Sequence, residues 1–264
     1  MPPQAKQTDR KLATLLRDWP SGAVYTRRKL AQLGITRQNA SKYVSSKWIQ
    51  RIGTEAYARA GEEIDWQGGM YALQSQLGLT VRPGAMTSLA LQGLAHYLPQ
   101  GDYSPIKLIS DHPGEQLPKW FRNYPWKANV SHHCFNLFTR TPGNSFRSLD
   151  CGAFLIHISG AERAMLEQMH MAKTNDDIDL AVDLMSGLPA LRPSVCQAHL
   201  EACRSIKAKR LFLWAATEAG HRWLDRVDKS KIELGSGKRQ LYKGGRLDPT
   251  YKITVPRSED IPRV

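Results

Sequence analysis

The stretch Thr36-Arg37-Gln38-Asn39-Ala40-Ser41-Lys42-Tyr43-Val44-Ser45-Ser46-Lys47-Trp48 decides how this 264-residue chain is read. At about 3.6 residues per turn, Ala40, Tyr43, Val44 and Trp48 share one apolar face of a helix. Arg37, Gln38, Asn39, Ser41, Lys42 and Ser45 are then turned outward. Thr36 stands where a side-chain oxygen satisfies a free N–H of the first turn. The outward side chains are of the kinds that pair with base edges, Arg with guanine and Asn or Gln with adenine. A solvated helix face is the plain alternative, but the run from Arg27 to Arg51 contains no Asp or Glu.

Working outward, a shorter helix precedes it. Thr26 caps that helix, Leu30 and Leu33 supply its buried side, and Gly34 ends it in a left-handed conformation. Helix, three-residue turn, helix is the helix-turn-helix arrangement. Arg27, Arg28 and Lys29 occupy the first turn of the shorter helix, where the dipole disfavours cations, and phosphate contact explains them. Downstream, residues 49–59 alternate around Gly53 as a wing hairpin, and its Arg51 and Arg59 complete the candidate DNA-contact set. Upstream, residues 1–8 read as a loose arm and 9–19 as a support helix with Leu12, Leu15 and Leu16. Ala23-Val24-Tyr25 reads as a short strand that joins the hairpin.

Charge is unevenly placed. Of the net +13, residues 1–61 carry 12 Lys/Arg against 3 Asp/Glu, 62–203 carry 10 against 14, and 204–264 carry 15 against 7. Basic ends around an acidic middle point to a nucleic-acid partner, although basic ends also serve solubility alone. No apolar run approaches the roughly 18 residues a membrane span needs, and the N-terminus lacks a signal-peptide core. A cytoplasmic protein without membrane partners is expected. Cys134, Cys151, Cys196 and Cys203 are too sparse for a disulfide framework.

Beyond the wing, residues 62–65 are acidic. Helical spacing recurs over 66–79 and 87–98, separated by a turn at Val81-Arg82-Pro83-Gly84. Pro99-Gln100-Gly101-Asp102 marks a break, which divides the chain into a DNA-binding domain (1–95) and a C-terminal domain (96–264). Strand-like runs follow at 106–109, 128–138 and 149–158. Helices then cover 160–171, 176–187, 194–203 and 208–219, the last apolar all round and therefore buried. A basic segment, 235–246, leads into a terminal strand at 251–255. The class is α+β, a winged helix-turn-helix followed by a larger mixed α/β domain.

The run Ile158-Ser159-Gly160-Ala161-Glu162-Arg163-Ala164-Met165-Leu166-Glu167, the winged helix before it and the closing Leu234-Gly235-Ser236-Gly237-Lys238-Arg239 together resemble the AbiEi antitoxins of type IV toxin–antitoxin and abortive-infection systems. The shared motif is carried over to Ser159, Glu162, Arg163 and Ala164. The resemblance implies a repressor of its own operon that binds inverted repeats. It also implies a C-terminal domain that counters a nucleotidyltransferase toxin without stable binding to it.

Cys196, His199 and Cys203 lie on one helical face and would need His132, His133 or Cys134 to complete a zinc site; zinc ligands more usually pair across a turn or hairpin and small Cys on a core face is common, so no metal or cofactor is expected. Asp176, Asp177, Asp179 and Asp183 suit cation chemistry, but Asn175 or Asp176 also suits a helix cap. Gly235-Ser236-Gly237-Lys238 lacks the spacing of a phosphate-binding loop. An enzyme, either a nuclease or a nucleotidyltransferase targeted by the winged helix, is the alternative, and it lacks a site; a non-enzyme is expected. Lys238, Arg239, Lys243 and Arg246 are a candidate second surface for nucleic acid or for antitoxicity.

Overall fold

The computed structural model describes residues 3–95 and 105–257, with side chains from residue 10. Its first unit comprises α1 (Pro3–Asp18), β1 (Tyr25–Thr26), α2 (Arg27–Gln32), α3 (Arg37–Ser45), β2 (Ile49–Gly53) and β3 (Ala56–Arg59). The strands form an antiparallel sheet ordered β1-β3-β2, the winged-helix arrangement. Thr26 accepts from the Lys29 N–H and Thr36 from the Asn39 N–H, both at 3.1 Å, so each hydroxyl starts its helix. Gly34, at φ 74°, makes the turn between them.

Both faces of this small sheet are covered. Ile49 and Tyr57 point into a core with Leu15, Trp19, Tyr25, Leu30, Ile35, Ala40 and Tyr43. Alternation along β2 turns Ile52 to the other side, where it joins Ala56 and Ala58, and a bulge between Arg51 and Gly53 bends the end of the strand. There the sheet meets Trp66, Met70, Leu73, Trp120, Phe121, Ile156 and Ile158, which come from the rest of the chain. A Cβ on Gly53 would lie 2.9 Å from Trp120 Cβ, so the wing's back needs glycine for this approach.

The remainder runs α4 (Trp66–Ser75), β4 (Arg82–Pro83), α5 (Ala85–Leu91), β5 (Ile106–Ser110), α6 (Lys119–Asn123), β6 (Val130–Cys134), β7 (Phe146–Asp150) and β8 (Leu155–Ser159). Then come α7 (Ala161–Met171), α8 (Asn175–Ser186), α9 (Pro193–Ala202), α10 (Ile206–Glu218), β9 (Arg246–Asp248) and β10 (Ile253–Val255). β5 pairs antiparallel with β4 and parallel with β6. A helical core built on α7, α8, α9 and α10 encloses Met165, Leu166, Met185, Leu211, Phe212 and Trp214. Strands and helices thus segregate, as an α+β class requires. Among the described residues no helix is long and apolar enough to cross a membrane.

Four local expectations are corrected. The segment read as an arm is helical from Pro3, because proline is tolerated in a first turn and Gln4, Ala5, Lys6 and Gln7 favour helix. Trp48 does not extend the buried face of α3: the helix stops at Ser45, Lys47 takes φ 57°, and Trp48 emerges 52% exposed. The turn expected at residues 81–84 contains β4, whose Arg82 is buried among acids. The strand expected over 149–158 is the hairpin β7–β8, turned at Gly152 (φ 82°), whose N–H donates to Asp150 at 2.8 Å. The break at 99–102 lies outside the described residues.

Candidate nucleic-acid interface

Arg37, Gln38, Ser41 and Lys42 are exposed on α3, and Asn39 is half-buried. Beside them an open cleft is lined by Arg37, Ser41, Arg51, Thr54, Glu55 and Tyr57, between the helix and the wing turn. Arg37 meets Glu55 at 3.1 Å, but with side chains 78% and 58% exposed the pair is screened and is readily exchanged for another anion. Arg51 is exposed, with its guanidinium 6.0 Å from the Tyr57 ring. Arg28 is exposed on α2.

The other candidates have partners within the fold. The Thr36 hydroxyl is occupied as the cap. Arg27 donates to the Ile35 carbonyl at 2.8 Å and so braces the turn between α2 and α3. Lys29 is half-buried, 6.0 Å over the Tyr25 ring. Arg59 pairs with Glu62 at 3.2 Å and reaches the Trp19 carbonyl at 3.4 Å. Sequence reasoning passed over Glu55, whose carbonyl accepts the Arg27 N–H at 2.7 Å while its carboxylate meets Arg37. Its signal was available: it is the first acid after the acid-free run.

The C-terminal basic segment is irregular but fixed. The Arg210 side chain is buried and donates to the carbonyls of Leu234 (2.6 Å), Gly235 (2.8 Å), Gly237 (2.6 Å) and Lys252 (3.3 Å). Thr254 Oγ1 accepts from the N–H groups of Leu241 and Tyr242, and Asn175 exchanges two hydrogen bonds with the Lys243 backbone. On this scaffold Lys238, Arg239 and Lys243 are exposed, and Arg246 lies 4.0 Å from Glu218.

Of the metal candidates, His199 has both ring nitrogens engaged and Cys196 and Cys203 are buried. His199 is fully buried, with Nδ1 at 2.8 Å from the Val195 carbonyl and Nε2 at 3.0 Å from Ser145 Oγ. Burial pushes the Cys196 thiol far up and that of Cys203 to about 11. All four cysteines are free. Among the described residues no group of three His, Cys, Asp or Glu is placed to hold a metal. The cap of α8 is Thr174 rather than Asn175 or Asp176: its hydroxyl accepts from the Asp177 N–H while Asp177 returns to the Thr174 N–H, a capping box.

The motif containing Ser159, Glu162 and Arg163 belongs to a buried ionic cluster. Arg82 donates to Asp111 through two nitrogens (3.1 and 2.9 Å), to Glu167 (2.9 Å) and to Ser159 Oγ (3.0 Å). Arg163 donates to Glu167 at 2.8 Å and also to Asp111. The Phe146 ring lies 5.0 Å from one guanidinium and 4.9 Å from the other. Glu167 also accepts the Ala85 N–H at 3.1 Å, and Gln168 accepts that of Met86 at 3.3 Å, so α7 caps α5. Burial alone would raise the Glu167 carboxyl, but Arg82 and Arg163 outweigh it and hold it below the ordinary range. Glu162 pairs separately with Arg192 at 3.0 Å.

Two family models match the chain. One, described as transcriptional regulator, AbiEi antitoxin, type IV TA system, covers residues 106–256. The other, described as transcriptional regulator, AbiEi antitoxin N-terminal domain, covers residues 8–100. The crystal structure of the RV2827C protein from Mycobacterium tuberculosis is similar over 92% of this chain and 88% of that one, with a TM-score of 0.57. At 16% identity this likeness shows the fold alone. No curated protein matches the chain.

Proposed function

The chain belongs to the AbiEi antitoxin family of transcriptional regulators from type IV toxin–antitoxin systems, and from that membership we propose that it represses its own operon by docking α3 in the major groove of an inverted-repeat operator. The observation that carries this reading is the exposed, acid-free face of α3 beside the wing cleft. Arg37, Gln38, Ser41 and Lys42 read base edges, with Asn39 at the margin. Arg28 and Arg51 contact phosphate, and Thr36, Arg27, Lys29 and Arg59 support them by setting helix and wing in place. The DNA-binding domain spans residues 1–95, and residues 96–264 carry the antitoxin function. That domain counters a nucleotidyltransferase toxin in the cytoplasm without a stable complex, with Lys238, Arg239, Lys243 and Arg246 as a second charged surface.

Gel-shift titration on the DNA upstream of its own gene tests the docking. Binding is expected to be site-selective and to weaken steeply with salt. Arg37→Ala or Gln38→Ala is expected to lose about 1–3 kcal/mol of discrimination, roughly 5- to 150-fold. Equal affinity for scrambled DNA overturns the proposal.

A further inference from the structure

A second charged cluster lies away from the wing, where β5, β6, α7, α8 and α10 meet. Lys107 pairs with Ser131 across β5 and β6, and His133 follows two residues further along β6, on the same side as Ser131. Lys207 lies in the first turn of α10, and its Nζ donates to the Ala172 carbonyl at the end of α7 at 2.5 Å. Lys173 follows directly in the turn to α8. His170, in the last turn of α7, packs against the Phe135 ring at 4.8 Å, and its Nδ1 is buried with no hydrogen-bond partner.

These groups feel one another. Burial first, then Lys107 and Lys173, hold His133 below the ordinary imidazole range, and burial followed by Lys207 does the same to His170. Burial likewise lowers Lys107 and Lys207, and Asp177 opposes it in both. Asp177 is the acid that acts on both lysines, and one of its oxygens is already taken by the Lys173 and Thr174 N–H groups; Glu167, which also acts on His170, is committed to Arg82 and Arg163. Among the described residues no carboxylate stands within salt-bridge distance of the three lysines. Lys107 and Lys207 are half-buried, and cations taken from water without an anion are costly.

Three lysines against one aspartate leave two positive charges in excess beside two neutral imidazoles. A carboxylate would cancel half of that excess. A phosphate monoester, at about −1.5 to −2 near neutral pH, cancels it and offers several acceptor oxygens to the lysine and histidine N–H groups. We propose that Lys107, Lys173, Lys207, His133 and His170 form a binding site for a terminal phosphate group, carried by a mononucleotide or by the end of an RNA strand. The site is independent of the winged helix and belongs to the C-terminal domain.

Calorimetric titration of the full chain with inorganic phosphate, AMP, a 5′-phosphorylated oligoribonucleotide and the same oligonucleotide ending in a 5′-hydroxyl tests this. Saturable binding of the phosphorylated probes is expected, with at least tenfold weaker binding of the hydroxyl form. Lys107→Gln/Lys173→Gln is expected to lose at least tenfold on the probe that binds. Histidine titration by NMR should show the imidazoles of His133 and His170 becoming more basic when that probe is bound. AMP binding as tightly as the oligonucleotide identifies a mononucleotide, and tighter binding of the oligonucleotide identifies an RNA end; either supports the site. Lys173→Glu, at an exposed position, repeats the test if the double variant melts early. No saturable binding of any phosphorylated probe, or binding that both variants leave unchanged, overturns the proposal.

Discussion

Glu167→Gln removes one negative charge from the interior while keeping the side chain's size. Glu167 is fully buried and accepts from Arg82 (2.9 Å), Arg163 (2.8 Å), Ser159 Oγ (3.1 Å) and the Ala85 N–H (3.1 Å). In the variant two buried guanidiniums share Asp111 alone, and an amide NH2 faces donors. Breaking a buried ion pair from one side costs about 3–5 kcal/mol. At about 2–4 °C per kcal/mol for a chain of this size, the midpoint falls by roughly 6–20 °C. Thermal unfolding at pH 7, followed by circular dichroism, reads the midpoint, and urea unfolding reads the free energy. Since the folded carboxyl titrates below its unfolded value, its contribution is complete above the unfolded value of about 4.3 and is lost as the pH falls through the folded one. The gap between wild type and variant should therefore close in acid. Arg82→Met/Glu167→Leu should cost less than the sum of its single changes, because no charge is left unpaired. An unfolding free energy of Glu167→Gln within about 0.5 kcal/mol of wild type refutes the prediction.

Gly68→Ala is expected to destabilise by about 1–3 kcal/mol or more, because its Cβ would lie 1.9 Å from the Gly22 carbonyl oxygen, a backbone atom with little freedom to move. Gly143→Ala, with nothing within 4 Å, serves as the control in thermal melting, and equal melting of the two variants counts against the packing. Stability should also fall as the pH drops below about 6.5, because burial holds the folded His199 pKa down and the unfolded chain takes up its proton first. His132, held down by burial in the same way, adds to that slope. A melting temperature flat from about pH 7 to 5 contradicts it.

The helix-turn-helix was legible because its signals are local. Thr26, Gly34 and Thr36 act on residues two or three places away, and apolar spacing alone marked α7, α8, α9 and α10. Interior polarity was not legible. Arg82 looked like part of a turn because its partners, Asp111 and Glu167, lie 29 and 85 residues further on. The same holds within the candidate site. Composition marks Arg27, Arg37 and Arg59 alike, yet Arg27 braces a turn and Arg59 pairs with Glu62, while Arg37 stays exposed against Glu55. The Ser159–Arg163 motif was visible as a signature, but its role as half of a buried cluster required Arg82 from β4, a strand of a different sheet.

The covered back of the wing has a mechanical consequence. Ile52, Ala56 and Ala58 are packed under Trp120 and Phe121, and Gly53 lies against Trp120. A pivot of α3 on this base would have to open those contacts. On the proposed duplex, moving α3 along the groove would carry the helical body around the axis by the twist of each step. Two copies on repeats offset by half a turn would face opposite sides of the DNA, and copies a full turn apart would stand abreast, so operator spacing would set which bodies can touch.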